Sequence, residues 1–423
     1  MKSIEINQKF NNTEIFEIVV WSIYILGSLC LTSGGPIWYV APLMAMFAYL
    51  LVSSMLHSEF CNSMLRDTKV ICLVIYVAVL AIEGLPVGGL VYIGKQVVHS
   101  FHMYMPMIMF IYFKSSKRRN MLKKIVKISY YFIIFFCVYN IIFYTLFPAA
   151  ARRARDYDTL IGGGYGLACG LAVLITLIIA MYIKGYLNKK HFSVWFPLVL
   201  MILTIVKTES TITLISCLIG IICIFYFHHK HQKTFYIKVL ALPLVLSLIL
   251  LLLPFFGDLL IAFTEEQMQE SRLYTRIYYL GTFLSHGTNN TYAEYFINRF
   301  SLPFQTFKTF LSSPIYGVAY KFGSGFLHPR GFGVGNHGEW TDALASYGIL
   351  GGIPFIAMYV MQIKEVLHEL KSKRIKISRA WVFVVVLLGI FNPLRSFHFN
   401  FFFFFFIPSV VLLIKNSDEK NRG

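Results

Sequence analysis

The chain has 423 residues, of which 57% are hydrophobic and only 14% charged, whereas soluble domains run at about a quarter charged. That balance excludes an ordinary soluble enzyme and fits a chain that crosses a bilayer core of roughly 30 Å again and again. A net charge of +18 would suggest nucleic acid in a soluble protein, but no basic stripe or stacking module accompanies it, so no nucleic-acid partner is expected.

In chain order, about twelve apolar segments are long enough to read as spans. They lie near 15–33, 36–55, 70–88, 90–113, 125–147, 160–183, 192–207, 211–228, 236–256, 342–364, 380–396 and 398–414. The first follows Lys2 and Lys9 with no small-residue cleavage site behind it, and reads as a retained signal anchor. Most of the 38 Lys and Arg residues fall in alternate connections, for example Arg66 and Lys69, Lys114 to Lys127, and Lys364 to Arg379. This asymmetry predicts a multi-pass protein with both termini cytoplasmic. The seven cysteines all lie outside the one large loop and show no CxxC, so neither a disulfide framework nor a metal is indicated. Cys217 and Cys223 read as small hydrophobes in one span. The run Phe401–Phe406 reads as lipid-facing packing.

The predicted organisation is all-α: helices 1–9 over residues 1–256, a large extracytoplasmic loop over 257–341, and helices 10–12 with a cytoplasmic tail over 342–423. In the loop, Thr264 with Gln267 three positions on predicts a capping box, opening a polar helix from Glu265 to about Phe283. A second, amphipathic stretch runs from Ala293 to Leu311, and a glycine-rich segment from Gly317 to Gly338.

Polar groups at membrane depth are costly and often functional. Arg152, Arg153 and Arg155 follow the fifth span and suit either an interfacial lipid anchor or a phosphate clamp, with Asp156 and Asp158 as local partners. Lys207 and Glu209 occupy the turn K-T-E-S-T, as a solvated tip or as a cation aimed into a cavity. Arg272 and Arg276 share one helix face, on which Glu265, Glu266 and Glu270 are alternative partners. Arg299 interrupts an aromatic stretch with Tyr295, Phe296 and Phe300, and an anionic ligand is one candidate partner. His337, Glu339 and Asp342 cluster just before the tenth span, where the imidazole of His337 titrates near neutral pH and could act as a general base. His99 and His102, with Lys95 and Glu83 nearby, suit helix packing or a lumen-facing role.

The topology and these motifs together resemble the bacterial O-antigen and capsular polysaccharide polymerases and the related O-antigen ligases. The resemblance rests on Arg299, then S-S-P-I-Y-G (Ser312 to Gly317), N-H-G-E-W-T-D around His337, and Y-G-I-L-G-G-I-P-F entering the next span, with G-G-G-Y-G-L-A at Gly162–Ala168. Two positions depart from the family pattern: Thr211 stands where an arginine often follows Ser210, and Gly338 where Asn or Ser usually follows the histidine. The resemblance implies a metal-independent, cofactor-free membrane glycosyltransferase of GT-C type in the bacterial cytoplasmic (inner) membrane. Its substrates would be undecaprenyl-pyrophosphate-linked glycans, among membrane lipids, with a chain-length regulator and a flippase as candidate partners. In that reading His337 is the base and Glu339 or Asp342 orients it. Arg299 and Arg276 bind pyrophosphate, aided by Arg272, Arg152, Arg155 and Lys207. The rival readings are an O-antigen ligase acting on lipid A core and, in another class, a lipid-linked oligosaccharide flippase.

Overall fold

The computed structural model describes residues 12–30, 37–56, 58–116, 118–147, 164–183, 191–208, 210–229, 255–266, 272–286, 291–319, 338–372, 378–392, 394 and 396–414. Among these residues the protein is all-helical and has no strand. The helices are α1 (Asn12–Cys30), α2 (Ile37–Leu56), α3 (Ser58–Arg66), α4 (Thr68–Ser115), α5 (Arg119–Leu146), α6 (Gly164–Ile183), α7 (His191–Lys207) and α8 (Thr211–His229). Then follow α9 (Phe255–Thr264), α10 (Arg272–His286), α11 (Thr291–Ser312), α12 (Glu339–Ser372), α13 (Ser378–Phe391) and α14 (Phe397–Leu413). Thr68–Pro86, Arg119–Leu146, Gly164–Ile183 and Glu339–Ser372 are each long and apolar enough to cross a membrane, and shorter apolar helices accompany them. The chain is therefore a helical membrane protein.

Helix α4 is two helices. At Gly89 the backbone turns through φ 65° and ψ −167°. Lys69 and Lys114, near opposite ends of α4, both bind the carboxylate of Glu365, with Lys114 at 2.5 Å. A straight helix would hold those lysines roughly 67 Å apart at 1.5 Å per residue. The two halves therefore fold back as a hairpin, in keeping with the separate spans expected at 70–88 and 90–113. The hairpin straddles α12: Tyr76 and Tyr104 both pack on Phe355, at 5.1 and 6.3 Å between ring centroids.

One end of the bundle collects the basic residues. Lys69 is 4% exposed and also donates to Gln362 Oε1 at 2.9 Å. Glu17 accepts from Arg118 Nη1 at 2.5 Å and from the Tyr112 hydroxyl at 2.7 Å, and it binds Tyr49 as well. Lys124 pairs with Glu14 at 3.9 Å, and Arg119 donates to the Leu412 carbonyl at 3.2 Å. Connections that sequence asymmetry assigns to one side of the membrane thus meet at one end of the fold.

The centre is aromatic. All six residues of Phe401–Phe406 are buried, with Phe403 stacked on Phe399 at 5.5 Å and on Trp381 at 6.0 Å. This corrects the lipid-facing expectation. The run adopts a π-helical turn, its i→i+5 bonds widening the helix where bulky rings crowd. Opposite it, α6 presents Gly170, and Gly166 lies against Ser396 just before α14. A Cβ on Gly170 would lie 2.2 Å from the Phe402 ring, so small residues let the two helices approach as they do in membrane bundles. Tyr359, from α12, donates to Asn400 Oδ1 at 3.1 Å, and Asn400 Nδ2 donates to the Met103 carbonyl at 3.0 Å, joining α12, α14 and α4.

Two expectations for the loop region change. Thr264 does not open a helix. It ends α9, where its hydroxyl donates to the Leu260 carbonyl at 2.6 Å, the back-bond by which threonine competes with capping. The next helix starts at Arg272, so Glu265 and Glu266 are not on the helix of Arg272 and Arg276. The amphipathic stretch at 293–311 is helical as expected, over Thr291–Ser312.

Candidate functional site

The end opposite the basic cluster is built from broken helices. Ser396 starts α14 as its N-cap, its hydroxyl accepting from Phe399 N at 3.1 Å. Leu412, bonded at the basic end, is sixteen residues further on, roughly 24 Å at 1.5 Å per residue. Ser396 therefore stands across most of a hydrocarbon core about 30 Å thick.

Three segments meet beside it. Helix α13 stops at Phe391, and the stretch from Asn392 to Ser396 connects it to α14. The expected eleventh span at 380–396 is shorter for this reason: Asn392-Pro393 ends it. The start of α12 docks here, with Glu339 N donating to the Asn392 carbonyl at 3.3 Å and Leu394 N donating to Glu339 Oε2 at 3.0 Å. Glu339 is 4% exposed. A carboxylate so buried is costly unless bonded, and the main-chain N–H of the break supplies a bond. From the other side, Asn392 Nδ2 donates to Thr213 Oγ1 at 3.0 Å and reaches Cys169 Sγ at 3.5 Å. Thr213 and Ser210 share a hydrogen bond of 2.6 Å. Packing around the junction is tight: a Cβ on Gly338 would lie 2.5 Å from the Ile390 carbonyl, and one on Gly389 2.4 Å from the Trp340 ring.

A second break sits nine residues into α12, at Gly348 (φ 56°, ψ −157°). The turn after α11 fills it. Ile349 N donates to the Pro314 carbonyl at 2.8 Å, Leu350 N to the Ile315 carbonyl at 3.4 Å, and Val318 N to the carbonyls of Ala345 and Ser346, both at 3.0 Å. Gly317 (φ 74°) faces Gly348. A Cβ on Gly317 would meet the Ser346 carbonyl at 2.2 Å, and one on Gly348 the Ile315 carbonyl at 2.2 Å. Both the left-handed backbone and the close approach require glycine. The segments S-S-P-I-Y-G and Y-G-I-L-G-G, well separated in sequence, are thus one packed unit.

Of the residues singled out in the sequence, Glu339 lies in the junction. Asp342 lies one turn along α12, half-buried, its N–H bonded to the Gly338 carbonyl at 2.8 Å. Lys207 ends α7, half-buried, three residues before Ser210. Arg276 is half-buried on α10, which packs on α11, which packs on α12. Arg272 and Arg299 are placed by their backbones on α10 and α11. His337, Arg152, Arg153, Arg155, Asp156, Asp158, Glu209, Glu270 and most of the expected span 236–256 lie outside the described residues. His102 is buried and stacked on Phe397 at 5.0 Å, a packing role, while Lys95 is exposed.

Sequence reasoning missed Asn392, Thr213 and Cys169. The signal available was Asn-Pro at the foot of an apolar segment, which marks a break. The assembled junction brings carboxylate, amide, hydroxyl and main-chain groups together across the bundle from the basic end. Neither a protein-family model nor a curated protein matches the sequence.

Proposed function

We propose that the protein is a membrane-embedded glycosyltransferase that joins undecaprenyl-pyrophosphate-linked oligosaccharide repeat units into O-antigen or capsular polysaccharide. The reaction takes place at the outer face of the bacterial cytoplasmic membrane, in a GT-C-type bundle of about twelve spans. The observation that carries the reading is the pairing of Gly317 with Gly348, which locks together two of the segments on which the family resemblance rests. The helix so held begins at Glu339, two positions after His337.

In this reading a hydroxyl of the acceptor sugar gives its proton to His337 and attacks the anomeric carbon of the donor glycan. The bond from that carbon to the pyrophosphate oxygen breaks, and undecaprenyl pyrophosphate leaves. A base working near pH 7 suits an imidazole. The departing phosphates need fixed positive charge, for which the planar guanidinium groups of Arg299, Arg276 and Arg272 are suited, with Arg152, Arg155 and Lys207 assisting. Glu339 or Asp342 orients the base, and Glu339, which accepts from Leu394 N, also holds the start of α12 in the junction.

The test is mass spectrometry of the surface glycan from cells with and without the protein. Loss of the protein should leave a single repeat unit on the carrier's final acceptor. A glycan lost entirely would point to the ligase instead, and an unchanged ladder would remove both readings. Arg299→Lys should lose most chain extension, because lysine cannot reproduce the bidentate fork. Full activity in that variant would take Arg299 out of the site.

A further inference from the structure

Helix α11 belongs to the segment that the sequence assigns to an extramembrane loop, yet its surface is divided in a way that suits neither water nor a protein interior. Pro303, Thr306 and Phe310 face inward, Phe310 against Val318 and Ala345. Gln305, Lys308 and Ser312 form an exposed polar edge. Between these two edges Phe304, Phe307 and Leu311 are exposed, Phe304 by 72% and Leu311 by 60%. At about 100° per residue the three triplets are centred roughly 100° apart around the helix. One sector packs, one meets water and one presents bare aromatic and aliphatic surface.

That bare surface continues onto a span. After Ser312 the exposed side chains of Ile315 and Tyr316 follow, and the carbonyls of Pro314 and Ile315 bond to Ile349 and Leu350 of α12. Ile349, Leu350 and Ile353 are themselves exposed on that membrane-crossing helix, where the neighbour of an exposed apolar side chain is lipid. Much of the turn's backbone is also satisfied within the protein, as a segment near membrane depth requires, where water is scarce. The N–H groups of Ser313, Gly317 and Val318 and the carbonyls of Ser313, Pro314 and Ile315 are all bonded within the protein.

We infer that α11 lies in the bilayer interface, with Phe304, Phe307 and Leu311 among the acyl chains and Gln305, Lys308 and Ser312 at the headgroups. The occupant of the apolar sector is bilayer lipid, continuous with the lipid around α12. An amphipathic helix binds in this way through its apolar area, while a lysine at its edge reaches back to the headgroups. The inference rests on the helix surfaces alone and is independent of the reaction proposed above. It places the backbone of Arg299, on the same helix, at the level of lipid phosphates.

The experiment is cysteine accessibility in the full-length protein reconstituted in phosphatidylethanolamine and phosphatidylglycerol vesicles. Single substitutions Phe304→Cys, Phe307→Cys and Leu311→Cys are compared with Gln305→Cys, Lys308→Cys and Ser312→Cys, with Ile353→Cys as the span reference. The native protein gives the background labelling of its own seven cysteines. A membrane-impermeant charged maleimide reacts with thiolate, which does not form in hydrocarbon. The polar-edge variants should label on the order of tenfold faster than the apolar-sector variants, which should match Ile353→Cys, since burying an ion in an apolar medium is heavily disfavoured. Equal rates on both sectors would put the helix in water and overturn the inference. Slow labelling together with a disulfide-linked dimer under copper phenanthroline would overturn it too, because a second copy and not lipid would then cover the face. Each sector carries three positions, so a variant that fails to fold leaves two to read.

Discussion

The two ends of the bundle treat their polar groups in opposite ways. At the basic end, charges from distant parts of the chain are matched in place: Glu365 between Lys69 and Lys114, and Glu17 with Arg118, Tyr49 and Tyr112. At the far end, hydroxyl, amide, thiol and carboxylate groups bond to one another and to main chain at two helix breaks. The first arrangement fixes which helices meet. The second ties two helix breaks together, at the end where the proposed function has substrate handled. Substitutions of the charged pairs at the basic end should therefore fail in stability, and substitutions of the proposed catalytic groups at the far end in activity, while the glycines of its breaks hold the fold.

The largest expected effect is on activity. His337→Ala should lower chain extension about 10²- to 10⁴-fold, the usual worth of a general base, while membrane abundance stays normal. Glycan ladders together with immunoblots of the membrane fraction measure both quantities. A near-normal ladder would remove His337 as the base and with it the functional contrast between the ends.

Next is Glu365→Ala. It leaves Lys69, 4% exposed, without its main anionic partner. Breaking one side of a buried pair costs about 3–5 kcal/mol, so the thermal midpoint in detergent should fall sharply. The double variant Lys69→Met with Glu365→Leu should recover much of the loss, since well-packed apolar replacements of buried pairs are often neutral. Recovery would identify the damage as an uncompensated charge and not a broken hinge.

Gly348→Ala follows, at about 1–3 kcal/mol for a strained backbone and with a Cβ 2.2 Å from the Ile315 carbonyl. Gly94→Ala is its control, since a Cβ there meets nothing within 4 Å and its φ is not left-handed. That change should be neutral or stabilising by up to about 1 kcal/mol through helix propensity. Equal loss at both positions would mean that the 317–348 contact contributes nothing particular to the fold.

These contrasts also show which features could be read from the sequence. Apolar length and the placement of Lys and Arg were enough to expect a helical membrane protein and to group Lys69, Lys114 and the 364–379 segment on one side. The hairpin at Gly89 followed from two apolar runs meeting there. What sequence patterning could not supply was partner choice. A phenylalanine run reads the same whether it faces lipid or protein, because both are apolar, and its burial is set by partners such as Gly170 of α6 opposite Phe402 and Trp381 stacked on Phe403. Thr264 and Gln267 have capping spacing, yet the chain before them was already helical, and tertiary context won. In the junction, Glu339 was legible as a charged residue beside a span. Asn392, Thr213 and Cys169 were not, since isolated small polar residues in apolar segments carry no period.

The smallest effect refines the account of the basic end. Lys124 and Glu14 pair at 3.9 Å with side chains 32% and 44% exposed, while those of Arg118, at the N-cap of α5, and Glu17, on α1, are 24% and 8% exposed. Exposed pairs are worth about 0–1 kcal/mol because water and salt screen them, so Lys124→Ala should shift the thermal midpoint little. Arg118→Ala, which strips the buried Glu17 carboxylate of its cation, should shift it several times more. Raising the salt from 0.1 to 1 M shortens the screening length from about 10 to 3 Å and should erase what effect Lys124→Ala has while leaving the Arg118→Ala loss largely intact. If both variants responded alike to salt, the basic end would be held by diffuse surface charge and not by its buried pairs, and the contrast with the far end would reduce to one of net charge.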